Sequence, residues 1–552
     1  MNKNHLLLLV LIFAGSLQAQ PTQKTKPAAA AATKNTGDVS AAKNNRLLTG
    51  ILGAPAGSGL VVMYNGKNDL SLTTPKTTGF NAGNINFNFT NPLPDNTKFK
   101  VTLKNIPAGK TANIYAGAEG VMPQNSNSLR VGCDFTYDLV SRSSNDAGFS
   151  TFYESGDADI GGGSGEDGRY VVFVSSSVNF AGGTGKHRQI FWRDRNTGTT
   201  KLISTGANGD EGNGDSFAPA IAADGKSVAF ESYSSNLVAN DKNGLRDIFV
   251  WQANSNKIET VSIGEGGKEA NAESYEPSIS GDGNLIVFTS TASNISLTEK
   301  GISNNNVFLR DLQKGNTIMI SIDPLSRKGG GGSKASISND GNRIAFYSHT
   351  GTLVANDNNG IWDIFLWEKN TPLLKRVSLT AEGKEREQGN ESANRVVVPA
   401  ISGNGRFIAF ATTASNMVPG DNNNFQDVFV YDTNTGTTVI ASNTTDKKPG
   451  NGDCPIGQGE KIAISFDGNW VAFSSNASNL GAPATNIVLH NLLTGKNQAV
   501  STVAGSSVGR AVLSSQAGYV LFGIGGKLDN RFLSSGIFVN YTGVGPCRSC
   551  PQ

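Results

Sequence analysis

The chain has 552 residues, 37% of them hydrophobic, and 47 Lys and Arg against 45 Asp and Glu give a formal net charge of +2. That supply of apolar residues can fill large cores, and the length suggests two to four domains, or fewer if one is a repeat fold. The basic residues are scattered rather than clustered among aromatics, which argues against a nucleic-acid partner.

The first residues, "MNKNHLLLLVLIFAGSLQAQ", have a short polar start with Lys3, an apolar run from Leu6 to Ala14, and then small and polar residues up to a cut after Ala19. The run is too short to span a bilayer as an ordinary helix, and the pattern is that of a secretory signal peptide over 1–19; the alternative is an N-terminal membrane anchor. No Cys stands at the cut, which argues against a lipid anchor, and no later segment is apolar enough to span a membrane. The expectation is an exported protein, periplasmic or at the cell exterior.

Residues 20–46 are low-complexity Ala, Lys, Thr and Pro, a composition that cannot bury enough apolar surface to order itself and reads as a linker. Residues 47–133 then read as a small β-sandwich. "SGLVVMYNGKNDLSLT" suggests two strands about a turn at Asn65–Gly66, "INFNFTNPL" alternates with Ile85, Phe87 and Phe89 on one face, and "KFKVTLKNIPAG" and "LRVGC" add further strands. "GSGLVV", "NGKNDLSL", "FNFTNPLPDNTKFKVTL", "PAG" and "VGC" together resemble a small Ig-like module found near the start of many secreted bacterial proteins. That module usually carries a second Cys a few residues after "PAG". Here the stretch is "KTANIY", so the resemblance implies no such partner for Cys133.

Residues 135–541 form a repeat array, and the period has to be settled before any motif is read. A strand ending in Phe follows an Asp–Gly or related turn seven times: "EDGRYVVF", "ADGKSVAF", "GDGNLIVF", "NDGNRIAF", "GNGRFIAF", "FDGNWVAF" and the worn "QAGYVLF". A second apolar strand follows each ("QIFW", "DIFVW", "NVFLR", "DIFLW", "DVFVY", "NIVLH", "GIFVN"). Most copies continue into a polar turn and a strand such as "TKLIS" or "IETVS", and a strand such as "APAIA" or "EPSIS" precedes the turn. Gly tolerates the positive φ of a two-residue hairpin, so each repeat predicts four antiparallel strands. One four-stranded sheet leaves a face uncovered unless neighbours stack on it, so the fold class is all-β, a seven-bladed β-propeller of four-stranded blades with a small N-terminal β-sandwich. The last copy lacks a fourth strand, and "FTYDLVSRSSNDAG" upstream supplies one: Tyr137–Ser141 is predicted to pair into the last blade and tie the ring.

"SISGDGNLIVFTSTASNI" and "AISGNGRFIAFATTASNMVPGDNNNFQDVFVYDTNTG", with their sister copies, resemble the TolB-like bacterial propeller repeats. This resemblance implies the propeller fold over all seven copies. Its members include a periplasmic partner-binding protein and accessory domains of peptidases, so it leaves function open.

Chemistry-bearing motifs are sparse. "GSSVG" at 505–509 has the GxSxG spacing of a serine hydrolase but no strand–turn–helix context, and no α/β domain follows. Some propeller lyases hold a metal with several His in the channel. His187, His349 and His490 fall at non-equivalent blade positions and are not expected to converge. Trp192, Trp251, Trp367 and Tyr431 end equivalent strands. They read as packing, or alternatively as rim aromatics for stacking a glycan.

Three copies of one turn share a 1, 3, 7 spacing: Asp241, Asn243 and Asp247; Asp357, Asn359 and Asp363; Asp421, Asn423 and Asp427. Oxygen ligands at alternating positions of a tight loop suit Ca²⁺, although the bidentate Glu of an EF-hand loop is absent. The other reading is architectural: Asx side chains accept from backbone N–H groups two residues on, and the last Asp pins the strand entry.

The tail, 542–552, carries Cys547 and Cys550 in "CRSC". No helix follows that would lower a thiolate pKa, so a disulfide of the tail is expected rather than a redox site, and a single CxxC does not make a zinc site. Four Cys in all leave three pairings open. The functional expectation is an exported, non-catalytic binding or scaffold protein of the cell envelope that takes a protein partner through its loops or a disc face. The alternatives are a secreted propeller enzyme of polysaccharide lyase or glycosidase type, and an adhesin-like surface module. A glycan is the second partner class.

Overall fold

The computed structural model describes residues 45–53, 59–64, 67–73, 85–89, 92–94, 96–105, 110–116, 119–122, 129–135, 137–141, 157–163, 166–176, 183–296, 305–387, 398–455, 461–481, 486–500, 507–525 and 536–542. The chain divides into Met1–Asn45 and Arg46–Gln552, and the sheets from Thr49 onward all belong to the second unit. The leader expected over 1–19, the linker up to 44, and Cys547 and Cys550 lie outside the described residues. Among the described residues, no helix is long and apolar enough to cross a membrane.

Seven four-stranded sheets follow one another along the chain. Blade 1 runs through Ala158–Gly161, Tyr170–Ser175, Gln189–Asp194 and Thr199–Leu202. Blade 2 has Ser216–Ile221, Ser227–Ser232, Asp247–Gln252 and Lys257–Thr260, and blades 3 to 6 repeat the order over 274–319, 333–376, 400–440 and 463–499. Every pairing within a blade is antiparallel, as the hairpin turns require. The turn glycines Gly225 and Gly283 sit at φ +74° and +75°, and a Cβ on Gly225 would meet the Tyr170 ring at 1.9 Å.

The Phe of each repeat faces a partner directly across the ladder. Phe173 stacks on Phe191, Phe230 on Phe249, Phe288 on Phe308 and Phe346 on Phe365, with ring centroids 5.7–5.9 Å apart. The apolar clusters then bridge neighbours. Val172, Val174 and Ile190 of blade 1 pack on Ile221, Val228 and Phe230 of blade 2, and the same arrangement links each later pair of blades. Each sheet is therefore covered on both faces by other sheets, the requirement that one four-stranded sheet per repeat imposes.

Closure occurs where the sequence places it. Blade 7 consists of Ser507–Leu513, Tyr519–Gly525 and Gly536–Tyr541, and its fourth strand is Tyr137–Leu139. Tyr137 pairs with Asn540 and Leu139 with Phe538. The cluster of Val140, Tyr519, Leu521 and Val539 with Ile160, Val171 and Phe191 joins blade 7 to blade 1. A second latch carries no sequence signature. The worn turn of blade 7 has Gln516 where other blades have Asp or Asn, and Asp167 of blade 1 fills that role: it accepts from Ser514 Oγ at 2.7 Å and from the Gln516 and Gly518 N–H groups at 3.1 Å each.

Upstream, two further four-stranded sheets are described. One pairs Thr49–Gly53 with Ile85–Asn88 and, in parallel, with Leu129–Phe135, which also pairs with Lys110–Ala116. The other joins Gly59–Tyr64 to Lys67–Thr73 and to Lys98–Asn105, with Glu119–Val121 at its edge. The hairpin expected about Asn65–Gly66 is thus present as a strand pair. Cys133 lies in Leu129–Phe135.

Candidate functional site: the central channel and the Asp–Asn–Asp turns

The innermost strands of all seven blades line one cavity of about 650 Å³. One position recurs around it, just before the apolar end of each inner strand: Asp157, Ala218, Glu276, Lys334, Val398, Lys461 and Arg510. In blades 2, 3, 4 and 7 the ladder slips there, between Phe217 and Ala220, Tyr275 and Ser278, Ser333 and Ser336, and Gly509 and Val512. The extra residue of each bulge, Ala218, Glu276, Lys334 or Arg510, takes φ of +45° to +56°. A left-handed non-glycine residue costs roughly 1–2 kcal/mol, and a bulge re-aims its side chain. Strain repeated at equivalent positions of four blades thus builds the channel wall.

In blades 2, 3 and 4 the bulge N–H groups are capped by carboxylates of the preceding blade. Ala218 N donates to Asp157 at 3.4 Å, Glu276 N to Glu231 at 2.8 Å and Lys334 N to Glu276 at 3.2 Å. One layer deeper, Ile221 N donates to Asp159 at 2.9 Å. Arg246 forks between Glu231 at 3.2 Å and Glu273 at 3.0 Å and lies over the Tyr275 ring. Arg510 pairs with Asp157.

Burial pushes the Asp159, Glu231 and Glu276 carboxyls above their usual range, against the pull of Lys461 on Asp159, of Arg246 on Glu231, and of Lys334 and Arg246 on Glu276. Burial likewise lifts the Tyr275 hydroxyl to about 12. The wall is dipolar. Its carboxylates, Asp157, Asp159, Glu231 and Glu276, come from blades 1 to 3; of its cations, Arg246 comes from blade 2 and Lys334, Lys461 and Arg510 from blades 4, 6 and 7. No sequence motif marked these residues. The available signal was the charge variation at one repeat position, "SYEPSI" against "SFAPAI" and "SKASI".

The Asp–Asn–Asp turns stand on blades 2, 4 and 5, at the entry to the third strands Asp247–Gln252, Asp363–Glu368 and Asp427–Asp432. All three have the shape that the architectural reading requires. Asn243 Oδ1 accepts from Leu245 N at 2.7 Å, Asn359 from Ile361 at 3.2 Å and Asn423 from Phe425 at 2.8 Å. Each Asn amide donates to the last Asp, at 2.7, 3.0 and 2.9 Å. That Asp is buried and accepts on its other oxygen from a Ser two residues past the outer strand: Ser262 to Asp247, Ser378 to Asp363 and Ser442 to Asp427, each at 2.5 Å.

The first Asp differs among copies. Asp241 Oδ1 and Asp421 Oδ1 are buried without a hydrogen-bond partner, whereas Asp357 Oδ1 accepts from Arg376 at 2.7 Å. Burial, then repulsion from Asp247 and Glu269, lifts Asp241 to about 6, and burial lifts Asp427 to about 7. Sequence reading missed Glu269, Glu385, Arg376 and the Ser partners. The repeated Gly–Lys–Glu at 267–269 and 383–385 was the visible signal for the two acids.

The remaining candidates stay apart. His187 lies near Asp215, His349 packs against Trp362 and His490 is buried against Asn497 at 2.7 Å; none of the three lines the channel. Ser507 begins the inner strand of blade 7 rather than a strand-to-helix turn. Trp251 and Tyr431 are buried, and Trp192 donates its indole N–H to Gly225 O at 2.9 Å and stacks on Tyr170. Trp367 is half-buried against the apolar cluster that joins blades 3 and 4, and Trp192, Trp251 and Tyr431 pack in the clusters between blades. Cys454 is buried, with its thiol 3.0 Å from Ser475 Oγ.

No protein-family model and no curated protein matches the chain. Among solved structures, it is similar to TolB from Acinetobacter baumannii at 17% identity and a TM-score of 0.32; the match covers 66% of this chain and 62% of TolB, under two thirds of that protein's length. It is also similar to an oligogalacturonate lyase in complex with manganese, at 11% identity and a TM-score of 0.44, covering 81% of this chain and 98% of that one. An oligogalacturonate lyase from Vibrio parahaemolyticus is similar at 9% identity and a TM-score of 0.45, covering 78% and 97%. These neighbours are propeller proteins, and at such identities the likeness concerns the fold alone.

Proposed function

We propose that the chain is an exported, non-catalytic propeller of the cell envelope that holds a segment of a protein partner in its central channel. The observation that carries this reading is the dipolar wall. A cavity of about 650 Å³ is lined by carboxylates of blades 1 to 3 and by cations of blades 2, 4, 6 and 7, and Glu276, Lys334 and Arg510 among them stand on backbone bulges kept at a conformational cost. Strain of this kind persists where the surrounding structure imposes it and clusters at binding sites. A wall with both signs complements a peptide segment that carries both, and charge complementarity selects partners and sets register. The apolar run Leu6–Ala14 and the small residues before Ala19 support export, and residues 47–133 are read as an Ig-like spacer.

The test is capture from envelope extract with wild type and with Lys334→Glu/Lys461→Glu. A partner retained by wild type and lost by the double variant supports the channel; equal capture by both contradicts it.

One observation favours a second reading, an enzyme acting on an acidic or neutral polysaccharide. Glu231 and Glu276 face the same cavity beside Arg246 and Tyr275, and burial raises both carboxyls above their usual range, the direction a general acid requires. Turnover of a glycan panel that Glu231→Gln abolishes would establish that reading, and its absence across the panel would remove it.

A further inference from the structure

Blades 2, 4 and 5 repeat one turn with different surroundings, so each serves as a control for the others. The backbones agree: Gly244, Gly360 and Asn424 at the fourth position take φ of +67°, +65° and +57°. In blade 4 the turn surrounds a positive charge. Arg376 Nη1 lies 2.7 Å from Asp357 Oδ1, 3.5 Å from Asp363 Oδ2 and 3.2 Å from Glu385 Oε1, and its Nη2 lies 3.2 Å from the Asn356 carbonyl oxygen. Arg376 stands opposite Phe365 on the outer strand. In the same register, opposite Phe249 and Phe429, blades 2 and 5 have Thr260 and Ile440, neither of them charged.

The oxygens that hold the guanidinium remain in the other two blades. In blade 2, Asp241, Asp247 and Glu269 correspond to Asp357, Asp363 and Glu385; the bridges Ile263–Glu269 and Leu379–Glu385 place the two Glu alike. In blade 5, Asp421 and Asp427 remain, and Pro449 takes the Glu position in the bridge with Asn443. The atom that binds Arg376 in blade 4 is the atom without a partner in both: Asp241 Oδ1 and Asp421 Oδ1. Asp421 is 6% exposed. An unpaired buried carboxylate oxygen costs more than a lost hydrogen bond, and here two blades repeat it.

We propose that blades 2 and 5 each bind one hard divalent cation of the Ca²⁺ class between these carboxylates, and that Arg376 occupies the corresponding place in blade 4. The donors on offer are oxygens, which suit Ca²⁺ rather than a thiolate- or imidazole-seeking metal. Among the described residues, no three His, Cys, Asp or Glu side chains form a ready-made cage. The carboxylates therefore supply part of the shell, and loop carbonyls and water supply the rest of the six to eight oxygens that Ca²⁺ takes. Blade 2, with three carboxylates, binds the more tightly. This inference does not depend on what the channel holds.

The experiment is a calorimetric titration of the chelator-stripped full chain with CaCl₂, alongside its melting temperature. Two ions bind and the melting temperature rises. Thr260→Arg, which gives blade 2 the guanidinium of blade 4, reduces the stoichiometry to one, as does the near-isosteric Asp421→Asn in blade 5. Arg376→Thr raises it to three. Absence of heat and of a melting shift up to millimolar calcium overturns the proposal, and so does a stoichiometry that Thr260→Arg and Asp421→Asn both leave unchanged.

Discussion

At the scale of single residues, the repeat is held by small polar devices that recur from blade to blade. One is the Ser two residues past the outer strand, which accepts from a third-strand N–H and donates to the side chain that begins that strand. Ser204 with Gln189, Ser262 with Asp247 and Ser321 with Asn306 show that an amide serves as well as a carboxylate. The charge of Asp247, Asp363 and Asp427 is therefore not needed for the latch. A second device is the Arg after the hairpin turn. Arg169 donates to both oxygens of Asp194, at 3.0 and 2.8 Å. Burial pushes Asp194 up, but the Arg169 bonds outweigh it and hold the carboxyl below its usual range. A depressed carboxyl adds stability above its unfolded value, and that stability is lost as pH falls through the folded one. Asp194→Asn should thus cost about 2 kcal/mol near neutrality. The gap in melting temperature between the two proteins should stay level from pH 8 to 5 and close below about pH 4. The Asp–Asn–Asp spacing was legible in the sequence, and its turn geometry followed from Asx chemistry. Arg376 was not, because it meets the turn only through cross-strand register.

At the scale of elements, the inner strand is where sequence and structure part. Alternating apolar residues and Asp–Gly turns announced four strands per repeat, since hairpin chemistry is local. The bulges were not announced, because Ala218, Glu276, Lys334 and Arg510 are not residues that favour a left-handed backbone. Neighbouring blades impose it. Replacing Lys334 by Gly and by Ala separates strain from side chain: the Gly variant should be about 1 kcal/mol more stable than the Ala variant in urea denaturation. Equal stabilities would mean the bulge carries no strain. The hairpin turn of blade 1 offers a further test. Asp167→Ala leaves the Ser514 hydroxyl and two N–H groups unpaired and should cost about 3 kcal/mol. The loss should appear first as faster amide exchange in Tyr519–Gly525 and Gly536–Tyr541.

At the scale of the whole molecule, the ring converts a repeat into a site. Seven inner strands that could not stand alone meet about one cavity, and the strand Tyr137–Leu139 draws the first described part of the propeller into its last blade. The seven-fold count was legible because each blade needs neighbours on both faces. The channel was not, because its charges come from one position spread over seven repeats. The most direct test of the channel as the partner site is photo-crosslinking in the envelope, with a photoreactive residue at Val398 in the channel wall or at Leu493, which is 75% exposed outside the cavity. A protein adduct from Val398 and none from Leu493 is the predicted result; an adduct from Leu493 alone would contradict it.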